Sequence, residues 1–211
     1  MSERAMTGRA TTEPEQGAAL VTSLLVIVCL SALGLGLLAA SSAERQIAGY
    51  TKGAAAVSAA ADAAIDAVLP EIGAAADWSA LLAGGVSTFH DVTHQPTSAS
   101  RTVLDLDAVT ADLQAEESAT FALGANTARW RLFAWAPLAR IAGIADTDSG
   151  VYVGVWLADD VGDADGVPEA DANGIIRVHS EAFGFGRTRR GADAVIARSV
   201  AGVRVLSWRS H

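Results

Sequence analysis

From Ala18 to Ala40 the chain carries no charged residue, and only Thr22, Ser23, Cys29 and Ser31 interrupt the apolar run. At about 1.5 Å of rise per residue, a helix over this run is about 34 Å long, enough to cross a hydrocarbon core of about 30 Å. A secretory signal has a shorter apolar core, of about 7–15 residues, behind a positively charged head. Here Arg4 and Arg9 are outnumbered by Glu3, Glu13 and Glu15. The small residues Ser41–Ala43 leave a cleavage there open, with a start at Glu44. Cys29 is the only cysteine, so no internal disulfide forms. Val28 stands before it where lipidation needs a small residue, which discounts a lipoprotein.

The apolar run does not end in a loop. Ile47, Tyr50, Ala54, Val57, Ala61, Ala64 and Val68 follow at spacings of three and four, the stripe of a continuing helix. Lys52, Ser58, Asp62 and Asp66 lie off that stripe, and the alanines at 54–56 and 59–61 favour helix. Pro70 is expected to end it, because the residue before a proline is pushed out of the α region. The spacing thus predicts one helix of about fifty residues and about 75 Å, apolar in its first half and amphipathic in its second.

Beyond the helix the composition becomes that of a soluble domain. Residues 78–96 are rich in Gly, Ser, Thr and His and read as connecting structure. Five later segments read as strands: 129–136, 151–157, 175–183, 192–198 and 203–208, each alternating or rich in β-branched and aromatic residues. Gly184, Gly186 and Gly191 around Arg187–Arg190 suggest a hairpin turn. With no helix between the late strands the sheet is expected to be antiparallel, one face burying the helix stripe. The expected class is α+β: a long N-terminal helix on an antiparallel sheet.

The chain of 211 residues has a formal charge of −9, which argues against nucleic acid as a partner. There is no phosphate loop and no nucleophile elbow, and nothing suggests a catalytic nucleophile, so an enzyme is not expected. His90 and His94 stand four apart, a zinc spacing on a helix, but Val92, Thr93 and Pro96 disfavour a helix and no third ligand is near. His179 falls in a strand and reads as packed or surface. The acidic stretch 159–174 is the best small-ion candidate. Asp159, Asp160, Asp163, Asp165, Glu169 and Asp171 offer hard oxygen donors that suit Ca2+. Pro168 falls where an EF-hand loop needs glycine, and a solvated surface loop is the competing reading. Asp146–Gly150 reads as a turn.

A polar leader ending in Gly17, followed by "AALVTSLLVIVCLSALGLGLLAASSAERQIAGY", resembles the class III signal of type IV pilins and pseudopilins. The segments "ERQIAG" and "IIRVHSEAFGFGRTRRGADAVIAR" resemble the PilX-like minor pilins of type IV pilus assembly. The resemblance covers about a third of the chain. It implies a pilin-like α+β roll, and cleavage between Gly17 and Ala18 by a prepilin peptidase that methylates the new terminus. It divides the chain into a leader (1–17), a transmembrane half-helix (18–40), an amphipathic half-helix (41–70) and a periplasmic head (71–211). The partners it implies are the major pilin, other minor pilins and the inner membrane. Motility, adhesion and pilus biogenesis also come from this resemblance.

Major pilins carry a glutamate five residues after the cut, which neutralises a neighbour's amine. Thr22 stands there in this chain. A lone buried charge is costly, so losing one partner of such a pair weakens repetition along a filament. The departure favours a minor, priming or tip subunit. Gly34 and Gly36 either let the helix loosen on assembly or admit a neighbouring membrane helix. The alternatives are a type II secretion pseudopilin and an unprocessed single-pass membrane protein with a periplasmic binding domain. The tip-most secretion pseudopilin carries a large extra helical domain, for which this chain has no room.

Overall fold

The computed structural model describes residues 13–97, 101–120, 128–141, 143, 150–185, 188–200 and 202–211. Most of the leader, most of the turn at 146–150, Gly186 and Arg187 lie outside these. The chain falls into two units, one ending at Tyr50 and one running from Thr51 to His211, and helix α1 (Glu13–Ala74) has residues in both.

The second unit is an α+β fold in which the long helix packs on an antiparallel sheet, a pilin-like roll. Among the described residues, five strands form one sheet in sequence order: β1 (Arg131–Pro137), β2 (Tyr152–Asp159), β3 (Ile175–Phe183), β4 (Arg189–Ser199) and β5 (Gly202–Ser210). Every neighbouring pair is antiparallel. All five expected strands are present, with ends shifted by a few residues.

The inner face of the sheet receives α1. Val57, Ala60, Ala61, Ala64, Ile65, Val68 and Ile72 are buried against Val153, Val155, Leu157, Ile176, Val178, Ala182, Ala194 and Ile196. Small residues at 60, 61 and 64 let the helix backbone come close, and the Ser180 hydroxyl donates to the Ala61 carbonyl at 2.7 Å. Val57 lies beside Gly184, while the carbonyls of Ala75 and Ala76 accept from Arg198 at 3.3 and 2.9 Å. The helix therefore runs antiparallel to β3, from the β3–β4 turn towards the β2–β3 loop.

Three expectations about α1 are corrected. The helix spans 62 residues rather than about fifty. It passes through Pro70 instead of ending there. A proline inside a helix forfeits one backbone bond, but the turn beyond it is held by tertiary contacts. Ile72 is fully buried, its carbonyl accepts from Trp78 Nε1 at 2.8 Å, and the Glu71 carboxylate accepts from Ser87 Oγ at 2.6 Å and the Thr88 N–H at 2.9 Å. The stripe, moreover, is covered only from Val57 onward, and Ile47 and Tyr50 are 65% and 78% exposed.

The outer face is also covered, where one buried face was expected. Helix α3 (Leu106–Thr120) lays Leu106 and Val109 over Trp130, Trp135, Tyr152 and Trp156. Strand β2 is consequently buried along its whole length. Gly154 makes room for this layer, since a Cβ there would stand 2.5 Å from Trp156 Cη2. Two further short helices, α2 (Trp78–Leu82) and α4 (Leu138–Ile141), pin the connections. Trp78 and Leu82 of α2 are both core residues, so residues 78–96 are not merely connecting structure. The segment from Ser87 to Asp91 covers the edge of β1, with Trp135 N–H donating to the Phe89 carbonyl and Asp91 N–H to the Trp135 carbonyl, both at 2.9 Å. A covered edge is closed to pairing with other chains.

The β3–β4 turn is tighter than the glycines suggested. Gly184 N–H donates to the Thr188 carbonyl at 2.8 Å, and Gly191 lies inside β4. Gly184 serves a close approach, because a Cβ there would overlap Val57 Cγ2. Gly184→Ala is expected to cost about 1–3 kcal/mol as an overpacked contact. Val57→Ala in the same chain should recover part of that loss. Chemical denaturation of the four full-length chains in detergent, as a double-mutant cycle, measures both.

Candidate functional site

Within the first unit, α1 is bare. Leu33, Leu35, Leu37 and the other large apolar residues between Leu20 and Leu38 are all more than half exposed, and the helix is long and apolar enough to cross a membrane. Three of its hydroxyls are satisfied within the helix. Thr22 Oγ1 donates to the Ala18 carbonyl, Ser23 Oγ to Leu20 at 2.9 Å and Ser42 Oγ to Ala39 at 2.8 Å. Back-bonding of this kind occupies those donors, and from Ala18 to Ala40 the helix carries no charge on any side. Gly17 and Ala18 both lie inside α1, and the backbone marks no boundary between them. Apart from their chain neighbours and the helix's own backbone, no atom comes within 4 Å of where a Cβ of Gly34 or Gly36 would be. Cys29 is exposed.

At the far end of β2, the acidic loop gathers some of its expected ligands and spends others on its own backbone. One carboxylate oxygen each from Asp159, Asp163 and Asp165 lies within 4.8 Å of the other two. Asp159 is fully buried and Asp163 nearly so. Burial pushes the Asp159 carboxyl up to about 7; the backbone hydrogen bond from Asp160 opposes this, and the charges of Asp163, Asp165 and Asp171 add to the rise. A carboxylate in that position is relieved by a proton or a cation.

The other expected ligands stand apart. Asp160 Oδ1 accepts from the Gly162 N–H at 2.7 Å and the Asp163 N–H at 3.1 Å. Asp171 Oδ1 accepts from the Gly174 N–H at 2.7 Å, and burial raises its carboxyl. Glu169 pairs with Arg129 at 2.8 Å and Arg131 at 3.7 Å. The loop is thus a series of side-chain-capped turns, docked to α2 by the Asp171 N–H on Ser79 Oγ at 3.2 Å.

His90 and His94 lie off any helix, both against Trp135, with ring centroids 5.3 and 4.7 Å from it. His90 Nδ1 bonds the Ser87 carbonyl at 2.7 Å, and His94 Nδ1 bonds Asp107 at 2.8 Å.

A polar cluster that no linear motif announces sits on the outer face. His179 is buried, with Nδ1 2.7 Å from Asp193 and Nε2 3.3 Å from Glu181. Burial by itself would lower the His179 pKa. The hydrogen bonds to Asp193 and Glu181 outweigh it, and the imidazole is held above its ordinary value. Burial likewise opposes ionisation of Glu181 and Asp193, but hydrogen bonds from His179, and from Arg189 to Glu181, hold both carboxyls low. Beside them a cavity of about 400 Å³ opens between α3 and the last strands, bounded by Glu117, Trp130, Arg177, Trp208 and His211. Buried Glu117 pairs with Arg177 at 2.5 Å, and Arg177 lies over the Trp130 ring. Three strands and α3 contribute these groups, so only the register brings them together. The alternation of charged residues at 177, 179 and 181 on one strand face was the available signal.

No protein-family model, curated protein or solved structure matches this chain.

Asp163 supports the acidic loop by accepting the Ala172 N–H at 2.8 Å and the Asp165 N–H at 3.2 Å. Asp163→Ala strands both donors and is expected to cost about 1–3 kcal/mol in chemical denaturation. The calcium expectation is checked by titration calorimetry on the full chain in detergent. Heat and a melting shift that Asp165→Asn removes would uphold it, and neither would end it.

Proposed function

We propose that this chain is a minor subunit of a type IV pilus assembly system, of the PilX-like kind, acting by association and not by catalysis. The apolar half of α1 holds the subunit in the inner membrane with the head in the periplasm. After removal of the leader between Gly17 and Ala18, the same surface packs against the helices of other pilins. Its partners are the prepilin peptidase, the major pilin and other minor pilins.

The observation that carries this reading is the division of one unbroken helix into two surfaces. From Leu20 to Leu38 its large apolar residues are bare, and from Val57 to Ile72 its stripe is buried under a folded head. A surface helix in water hides one stripe and exposes polar residues elsewhere. A helix apolar on all sides needs lipid or other helices around it. The fold is consistent with a structural, membrane-associated subunit of the pilin-like class. Thr22, with its hydroxyl turned back onto Ala18, offers no carboxylate to a neighbouring amine. That favours a priming or tip position over the shaft.

In cells that assemble such pili, the chain is expected in the sheared filament fraction at a small share of the major subunit. Thr22→Glu is expected to raise that share. A chain found only in the membrane fraction, wild type and variant alike, would contradict assembly and leave a membrane-anchored binding domain.

A further inference from the structure

The two edges of the sheet are finished differently. At β1 the segment from Ser87 to Asp91 takes up free backbone groups, and Phe133 to Ala136 are buried. At β5, among the described residues, no strand pairs on the side away from β4, and every residue from Arg204 to Ser210 is exposed. Gly191 and His211 exchange backbone hydrogen bonds of 3.0 and 2.9 Å, which fixes the alternation along this end of the pair. Trp208 and Ser210, opposite Ala194 and Ala192, therefore turn their own N–H and carbonyl groups towards the open side. The strand is also held in place. Asp62 of α1 accepts from Trp208 Nε1 at 2.8 Å and from Ser210 Oγ at 2.7 Å. An edge already fixed loses little freedom when another strand is added.

The side chains of β5 form two rows of different chemistry. Directly opposed residues of paired strands share a face. Val205 and Trp208 pair with Ile196 and Ala194, which lie in the core under α1, and Val203 stands beside Gly73 of the helix. These three make an apolar inner row. Arg204, Ser207 and Arg209 pair with Ala197, Val195 and Asp193 and make a basic outer row. Leu206 is the extra residue of a bulge between the two halves of the strand. From Gly202 to His211 there are two arginines, one histidine and no acidic residue, in a chain with a net charge of −9. Asp193 lies opposite Arg209 but is taken up by His179 at 2.7 Å, and the residue opposite Arg204 is an alanine.

An exposed edge with apolar side chains pairs readily with other strands. A second copy of β5 would set Arg204 and Arg209 among the same arginines, and like charges across a strand pair are destabilising. The charges that bar self-pairing attract a strand of the opposite sign. We propose that β5 is a docking edge for an extended segment of a partner protein in which apolar and acidic residues alternate. Added antiparallel to β5, its apolar side chains continue the inner row and its carboxylates meet the outer one. Backbone hydrogen bonds to Trp208 and Ser210 supply affinity, and the two rows supply selectivity. The proposal does not rest on the assembly reading.

The test is fluorescence anisotropy of the full chain in a non-ionic detergent, with empty micelles as the blank. The probe is a labelled ten-residue peptide of alternating valine and glutamate. Two further peptides carry lysine for glutamate, or methyl groups on the valine nitrogens, which face Trp208 and Ser210 in the antiparallel pairing. The glutamate peptide is expected to bind at or below about 100 µM, and at least about tenfold tighter than the lysine peptide, as two cross-strand charge pairs change from attractive to repulsive. Methylation keeps the charge and is expected to abolish binding. Arg204→Glu combined with Arg209→Glu changes two exposed side chains. That variant is expected to keep the wild-type melting curve and to exchange the preference between the two charged peptides. Equal binding of the charged peptides, binding that survives methylation, or a preference that the charge reversal leaves unchanged would overturn the proposal. So would a wild-type dimer in sedimentation that the same reversal dissolves, because the edge would then serve a second copy.

Discussion

The structure depends on one packing event, the seating of the second half of α1 on the inner face of the sheet. Ala60, Ala61 and Ala64 bring the helix backbone within reach of β3, and Val57, Ile65, Val68 and Ile72 fill the space to either side. Burying such side chains contributes about 1.5–3 kcal/mol each, and neither partner has another way to cover its apolar surface. A helix in a protein draws most of its stability from packing its apolar face, and a sheet with one bare face invites association. The contact also sets the order of the remaining parts. It places the β3–β4 turn beside Val57 and the acidic loop beside α2, and it holds the helix through Pro70.

The two covers of the sheet differ in how far the sequence discloses them. Strands were legible because β-branched and aromatic residues alternate over short runs with turn residues between them. The helix stripe was legible from its spacing. That spacing says which side of a helix is apolar, not whether anything lies against it, so Ile47 and Tyr50 fit the stripe and stay exposed. Pro70 misled for a related reason. Its local cost is real, but the contacts that offset it come from Trp78 and Ser87, and a local reading does not see them. Helix α3 escaped notice because its buried positions, Leu106, Val109 and Glu117, include a charge. Its start was announced by Asp105, whose Oδ1 accepts the Ala108 N–H at 3.0 Å, an N-cap that could have been read directly.

The candidate sites divide along the same line. The acidic loop was visible as a run of aspartates, yet which of them converge is a matter of fold. Asp159, Asp163 and Asp165 meet, while Asp160 and Asp171 hold turns and Glu169 holds two arginines. The outer-face cluster showed in the sequence only as the alternation at 177, 179 and 181, because its other members lie apart in sequence and meet through strand register. The bare half of α1 was the most legible feature of all, because its length and lack of charge are properties of sequence. It is also the feature on which the proposed function turns, because a helix apolar on all sides needs lipid or other helices around it.

The most direct test of this account is the mass of the N-terminal peptide after expression with and without a prepilin peptidase. The account predicts a chain beginning at a methylated Ala18 when the peptidase is present and an intact leader when it is absent. An intact leader in both samples would contradict it and leave a membrane-anchored domain. A chain beginning at Glu44 would contradict it more deeply, because the apolar helix would then be a discarded signal rather than the surface on which the subunit assembles.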